Sequence, residues 1–253
     1  MNKEPENQTT KDFIYGTWPV MEAVKASRDI DKVLVQHGLR NPVISETIAE
    51  LKRLEIPYQF VPIEKLNRVT RKNHQGIIAF LSPITFSNIE QVLPQIYETG
   101  EDPFLLILDK ITDVRNFGAI LRTASCTGVH AVVVPQKGSA LLNSDAVKSS
   151  AGAIFTLPIC RSENLKETID FLKNSGLQVF AATEKGDTFY FDKNLTGPSA
   201  IIMGSEGEGI SPEYLKRADV QLKIPMAGSI ASLNVSVAAG VLMYEVYKQR
   251  LTK

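Results

Sequence analysis

The sequence predicts an α/β protein whose larger part is a mainly parallel sheet, preceded by a small α/β domain. Three observations carry that expectation. Short apolar runs bounded by polar residues recur in the second half of the 253-residue chain: Phe104 to Leu108, Ala131 to Val134, Ile154 to Ile159, Val179 to Ala182, Ala200 to Met203 and Val220 to Ile224. Continuous runs of this kind suit strands buried on both faces, as parallel strands are. Helical spacing marks Gly118 to Cys126, Asp145 to Ser150 and Glu163 to Asn174, so strand and helix alternate. Finally, three of the runs lead directly into glycine-rich or polar loops, and α/β sheets bind ligands at the carboxyl ends of their strands.

The first part is built on a smaller scale. Residues 1 to 12 have the composition of a tail, and a regular pattern begins at Phe13. An amphipathic start (Val20, Met21, Val24) is followed by an apolar run from Lys32 to Val35 and a helical stretch from Val43 to Leu54. A short strand from Tyr58 to Val61, a helix start near Ile63 and a strand from Ile77 to Leu81 complete it. Residues 13 to 86 therefore read as one domain. In 87 to 103, Ile89, Val92, Leu93 and Ile96 recur at helical spacing before the break at Gly100 to Pro103, which reads as a linker helix into a second domain from 104 to 253.

Composition narrows the function classes. Lys and Arg number 28 and Asp and Glu 28, so bulk charge gives no licence for a polyanion binder. Locally the picture differs: no acid lies between Glu64 and Glu90, where Lys65, Arg68, Arg71 and Lys72 stand beside His74, either a solvated loop or a small basic binding patch. Two cysteines far apart, Cys126 and Cys160, and three scattered histidines exclude a disulfide framework and a multi-cysteine metal site. No apolar run approaches the roughly 18 residues of a membrane span. With no apolar segment behind the polar N-terminus, a cytoplasmic protein is expected.

The chemistry is expected in the three loops. After Phe104 to Leu108 the chain reads Asp109 to Gly118 and enters a helix, with Asn116 placed to cap it and Arg122 about two turns along. After Ala200 to Met203 come Gly204, Ser205, Glu206, Gly207, Glu208 and Gly209. Three glycines allow positive φ and close backbone approach. Their spacing is neither the dinucleotide G-x-G-x-x-G nor a P-loop, and two carboxylates would repel a pyrophosphate, so a neutral or cationic ligand is expected. That spacing also argues against a Rossmann oxidoreductase. After Val220 to Ile224 the loop runs through Pro225 and Met226 to Ser232, Leu233 and Asn234, either polar residue being able to cap the last helix. Apolar residues surround nearly all of that helix, from Val235 to Tyr247, so it either threads into the core or is buried against a second subunit.

Together these loops resemble the three motifs of the SpoU/TrmH-type branch of the SPOUT RNA methyltransferases. The matches are Asn-x-Gly-x-x-x-Arg at Asn116, Gly118 and Arg122, Gly-Ser-Glu-Gly-x-Gly at 204 to 209, and the series from Ile224 through Ser232, Leu233 and Asn234 to Ala238. Tyr15, Gly16 and His74, Gln75, Gly76 are similar to the ends of the family's substrate-binding domain. The pairing looks most like the bacterial 23S ribosomal RNA guanosine 2′-O-methyltransferases. The resemblance implies a deep trefoil knot, a homodimer and S-adenosylmethionine as cofactor, with no metal and no membrane. It implies cofactor contacts from Met203, Gly204, Glu206, Gly207, Ile224, Met226, Ser232, Leu233 and Asn234. Catalytic roles fall to Asn116, Arg122, Glu206, Ser232 and Asn234, and RNA contacts to Arg68, Arg71, Lys72, His74 and Arg115. A transfer RNA substrate and a non-catalytic RNA-binding relative are the alternatives.

Overall fold

The computed structural model describes residues 13–39, 41–229 and 232–252. The expected tail lies outside them. The chain divides into two compact units, the first ending at Thr85 and the second spanning Phe86–Lys253.

The first unit contains β1 (Phe13–Tyr15), α1 (Thr17–Lys25), β2 (Ile30–Gln36), α2 (Pro42–Arg53), β3 (Tyr58–Val61), α3 (Ile63–Val69) and β4 (Ile77–Leu81). Its sheet has the order β1-β4-β2-β3, with β2 and β3 parallel and the other neighbours antiparallel. Alternation along β2 and β4 splits the core in two. Val33, Val35, Ile77 and Ala79 pack with Val20, Val24, Ile44 and Leu51 of α1 and α2, while Leu34 and Ile78 face Leu66 of α3. Asn41 starts α2, its side chain accepting from Val43 N at 2.9 Å with Pro42 in the first turn.

The second unit contains α4 (Ile89–Glu98), β5 (Phe104–Leu108), α5 (Val114–Cys126), β6 (Ala131–Pro135), α6 (Ser144–Ser149) and β7 (Ile159–Ser162). It continues with α7 (Leu165–Asn174), β8 (Gln178–Ala182), β9 (Thr188–Phe189), β10 (Ser199–Met203), α8 (Pro212–Leu215), β11 (Val220–Lys223) and α9 (Val235–Leu251). The seven strands form a sheet of order β7-β6-β5-β10-β8-β11-β9 in which every pairing is parallel. β5 and β10 are neighbours, yet the chain leaves β5 towards β6 on one side and reaches β10 from β9, at the sheet edge on the other. The loops after β5 and β10 thus leave adjacent strand ends at a reversal of strand order, where α/β sheets open a crevice.

Three expectations are corrected here. The helix of residues 87 to 103 is not only a linker: Ile89, Leu93 and Ile96 of α4 are buried in the core of the second unit. The apolar run from Ile154 to Ile159 is not one strand. Ala153–Phe155 form a 3₁₀ turn after Gly152 at φ +84°, and the strand begins only at Ile159, because a short apolar run buries equally well as a turn. Asn116 does not cap α5. The helix begins two residues earlier, and Asp113 caps it by accepting from Asn116 N at 2.8 Å.

Two contacts set the frame around the loops. Arg250, near the end of α9, donates to Asp102 O at 2.7 Å, Gly197 O at 2.8 Å and Pro103 O at 3.2 Å, so it ties that helix to the segments entering β5 and β10. Burial pushes its guanidinium below its usual pKa. At Gly118, α5 and α6 approach so closely that a Cβ would lie 1.9 Å from Ser149 Oγ and 2.9 Å from Ser149 C. Gly118→Ala should therefore destabilise the protein by about 1–3 kcal/mol through overpacking, although alanine is favoured over glycine by ~1 kcal/mol in a helix. Urea unfolding checks the sign, and adding Ser149→Gly should recover part of the loss.

Candidate active site

The site grows from the ends of β5, β8, β10 and β11. After β10 the chain turns back on itself: Ser205 N donates to Gly209 O at 3.2 Å and Gly209 N to Ser205 O at 2.9 Å. Gly204 is needed because a Cβ there would lie 2.2 Å from Gly209 C and 2.3 Å from Ile210 N. The expected positive φ is found only at Gly209 among the loop's glycines, at +68°. Close approach at Gly204 is thus of backbone to backbone within the loop. Glu208 is turned aside into an ion pair with Lys110 at 2.7 Å, and Lys110 holds its carboxyl below the usual range.

That leaves Glu206 as the loop's carboxylate without an ion pair among the described residues, and two amides meet it. Asn116 Nδ2 donates to Glu206 Oε1 at 3.1 Å, Asn234 Nδ2 donates to the same oxygen at 2.5 Å, and Asn234 Nδ2 also donates to Asn116 Oδ1 at 3.0 Å. The triangle joins residues up to 118 positions apart. Its orientation is dictated by α9. Asn234 Oδ1 accepts from Ser236 N at 3.0 Å and Ser236 Oγ at 2.6 Å, with Val237 N at 3.4 Å, so the oxygen is committed to the helix N-terminus and the amide nitrogen must face the carboxylate. Asn234 is thus both a cap and a bridge.

Beside the triangle lies a cavity of about 280 Å³. Met203, Gly204, Glu206, Gly207, Ile224, Met226, Ser232 and Leu233 all line it, together with Leu222 and Val235. Asn234, expected there too, stands off the wall, its amide spent on the triangle. Ala182, the last residue of β8, and Thr183, Glu184 and Lys185 after it complete the wall and carry no recognisable motif. Their signal in the sequence was positional only: they end or follow a buried parallel strand. Gly186, next in line, crosses β11 so closely that a Cβ would lie 2.6 Å from Gln221 O.

The expected cations fall elsewhere. Arg122 is exposed on α5 and makes no hydrogen bond or ion pair among the described residues. It lies six residues beyond Asn116, roughly 9 Å further along the helix and on another face. Arg115 is exposed and lines a shallow hollow with Asp113, Asp145 and Lys148. In the first unit Arg68, Arg71 and Lys72 are exposed, whereas His74 is not. It is 6% exposed, its Nε2 is 3.0 Å from Asn67 Oδ1 and its Nδ1 accepts from Gly76 N at 3.0 Å. Expected as an RNA contact, His74 has both ring nitrogens engaged inside the fold and shapes the loop. Gln75 has a matching task, its Oε1 accepting from Thr17 N at 2.9 Å at the start of α1. Cys160 is buried, which pushes its thiol up to about 12 and excludes it as a nucleophile.

An open cleft at parallel strand ends, floored by a glycine-rich loop and flanked by an acid held between two amides, defines an α/β protein with a cavity at its strand ends. Comparison with known proteins makes the class specific. The SpoU rRNA methylase family model matches residues 103–244, and the model for RNA 2′-O ribose methyltransferase substrate binding matches residues 13–87. A Staphylococcus aureus (strain MSSA476) protein named for the TrmH family of tRNA/rRNA methyltransferases is 38% identical over 94% of this chain and 96% of its own. Among solved structures, an RNA 2′-O ribose methyltransferase is 28% identical with a TM-score of 0.56, covering 94% of this chain and 88% of that one. The SpoU methyltransferase AviRb from Streptomyces viridochromogenes, in complex with AdoMet, shares the fold at a TM-score of 0.61 and 24% identity, covering 98% of this chain and 96% of its own. The chain belongs to the SpoU/TrmH family of RNA methyltransferases.

Two substitutions separate the duties of Asn234. Asn234→Ala and Asn234→Ser should both remove the bridge to Glu206 and depress methyl transfer, but only the alanine should also cost about 1 kcal/mol of stability, because serine still caps α9. Paired urea unfolding and transfer assays check this; equal stability loss in both would show that the cap is irrelevant.

Proposed function

We propose that this protein transfers a methyl group from S-adenosylmethionine to a ribose 2′-hydroxyl of RNA, with a guanosine of 23S ribosomal RNA as its target. The observation that carries the proposal is that Glu206 belongs both to the cavity wall and to the triangle with Asn116 and Asn234. A cofactor held in that cavity would thus lie next to an oriented polar cluster.

The wall fits such a cofactor. Leu222, Ile224, Leu233 and Val235 offer apolar surface to an adenine, while Glu206 and Ser232 offer acceptors near a positively charged sulfonium. Met203, Gly204, Gly207 and Met226 complete the seat. When bound, S-adenosylmethionine supplies an electrophilic methyl group. The chain itself has to align the incoming oxygen and stabilise it as its proton leaves. Arg122 is exposed and unpaired among the described residues, and a guanidinium is too weak an acid to serve as a base. Its role is to hold an RNA phosphate and stabilise the developing alkoxide. Asn116, Glu206, Ser232 and Asn234 orient nucleotide and cofactor. Arg68, Arg71, Lys72 and Arg115 offer further charges to the RNA backbone.

Two architectural features belong to the same proposal. A homodimer is supported by α9, which buries Val235, Ala239, Leu242 and Val246 within the chain but exposes Val237 (52%), Tyr244 (53%) and Leu251 (67%) as a second stripe at seven-residue spacing. A trefoil knot, with the segments after the second and third motifs threaded through one another, belongs to the same reading. A ribosomal RNA target and a cytoplasmic location belong to the same reading, with transfer RNA as the alternative substrate. No helix among the described residues is long and apolar enough to cross a membrane.

Mapping ribosomal 2′-O-methylation in strains with and without the gene is the direct test: one lost 23S guanosine mark supports the proposal, and an intact 23S pattern with a lost transfer RNA mark moves the substrate. Arg122→Lys, which keeps the charge and loses the planar fork, should cut turnover about 100-fold or more; near wild-type turnover with unchanged RNA affinity would refute the positioning role. Tyr244→Glu should convert dimer to monomer in sedimentation velocity, with a monomeric wild type refuting the dimer.

A further inference from the structure

The exposed large apolar side chains of the first unit fall towards one end of its sheet. Among its described residues they are Trp18 (63%), Leu39 (36%), Phe60 (43%) and Ile63 (40%). All belong to the end of the sheet where β1, β2 and β3 finish and β4 begins. There Gly16 N donates to Ile77 O at 3.2 Å, Gln36 N to Gly76 O at 2.8 Å and His37 N to Val61 O at 2.9 Å, which sews the four chain ends together. A Cβ on Gly76 would lie 2.3 Å from Leu39 Cδ2, so Leu39 packs down on that junction. The rest of the cluster is aromatic: the exposed His37 ring stacks on Phe60 at 5.9 Å and 26°, and Tyr58 meets Phe60 edge-on at 5.8 Å.

Cations and acids both stand near the cluster: Glu64 follows Ile63 and Glu22 lies one turn after Trp18, all four exposed. Arg71 and Lys72, on the segment leading into β4, are exposed and unpaired among the described residues, and no acid occurs between Glu64 and Glu90. Elsewhere in the unit Lys25 and Arg53 are paired with Glu46 and Glu50. Flat rings with unpaired cations beside them suit a ligand with π-faces and phosphates. Unpaired nucleotides present both, whereas a duplex hides its base faces and offers only backbone. The sheet order places β1 and β3 three strand spacings apart, about 14 Å, which gives room for more than one nucleotide between Trp18 and Phe60.

We propose that this end of the N-terminal unit is a stacking platform for unpaired nucleotides of the RNA substrate, one base on Phe60 and His37, another on Trp18, with Arg71 and Lys72 on the intervening phosphates. The platform rests on the RNA methyl-transfer function proposed above. It identifies single-stranded RNA as what the unit grips.

Trp18 is the chain's sole tryptophan, so its fluorescence reports the site directly. The full-length protein is titrated with oligoadenylate, with an abasic oligonucleotide of the same length and with an RNA duplex. The expected result is saturable quenching by oligoadenylate, with affinity about tenfold or more above that for the abasic strand. Phe60→Ala and His37→Ala should each weaken oligoadenylate binding by about tenfold, while Phe60→Tyr, which keeps the ring, should bind as the wild type does. The methyl-transfer assay on cellular RNA should show a raised KM for Phe60→Ala and not for Phe60→Tyr. Equal affinity for abasic and base-bearing strands, preference for the duplex, or a Phe60→Ala variant that binds oligoadenylate normally would overturn the platform and leave the surface to a protein partner. If the wild type transfers methyl groups to RNA while the ring variants change neither affinity nor KM, the platform alone falls; if it transfers none, the proposed function falls and takes the platform with it.

Discussion

The site depends on one side-chain amide. Asn234 Oδ1 is bound at the N-terminus of α9, and this leaves Nδ2 no direction but towards Glu206 and Asn116. An amide free to flip would offer the carboxylate an acceptor in place of a donor, and the triangle would open. Because a helix N-terminus supplies several N–H donors at fixed spacing, it is a firm anchor for an oxygen. The helix is itself held at its far end by Arg250, whose guanidinium binds carbonyl groups ahead of β5 and β10. The two strands whose loops enter the triangle are thus tied to the helix that completes it.

Backbone proximity does the rest. Gly204 lets the loop after β10 fold back on itself, Gly186 lets the segment after β8 cross β11, and Gly118 lets α6 lie against α5. Each of these positions would place a Cβ inside another atom's radius. The glycines therefore act mainly by omission of a side chain, and positive φ contributes only at Gly209 in the loop. Glu208, sharing that loop with Glu206, is drawn off by Lys110, so two adjacent acids acquire different partners and different tasks.

Much of this was legible in sequence for physical reasons. Strands buried on both faces need unbroken apolar runs, and β5, β6, β8 and β10 carry them. Asn116 and Glu206 come soon after two such runs, β5 and β10, which is where a parallel sheet opens. Where several structures satisfy the same pattern, sequence was ambiguous. Asp113 and Asn116 are both able to cap α5, and the choice fell to the one three residues earlier. Residues 154 to 159 bury as a turn followed by a strand start. The wall after β8 has no distinctive residue types, and His74 looks like a surface donor until Asn67 and Gly76 are brought to its ring.

By itself the sequence determined the alternation of strand and helix, the polar residues available at the strand ends and the family motifs that order them, since these follow from local periodicity and residue chemistry. Tertiary structure alone decided which of those residues meet. Asn116, Glu206 and Asn234 are brought together by strand order, which no local pattern encodes, while Arg122, two turns of helix away, stays outside their hydrogen bonds. The same holds for one end of the first unit's sheet: Trp18 and His37 follow β1 and β2 and Phe60 lies near the end of β3, and only the pairing of strands brings those ends together.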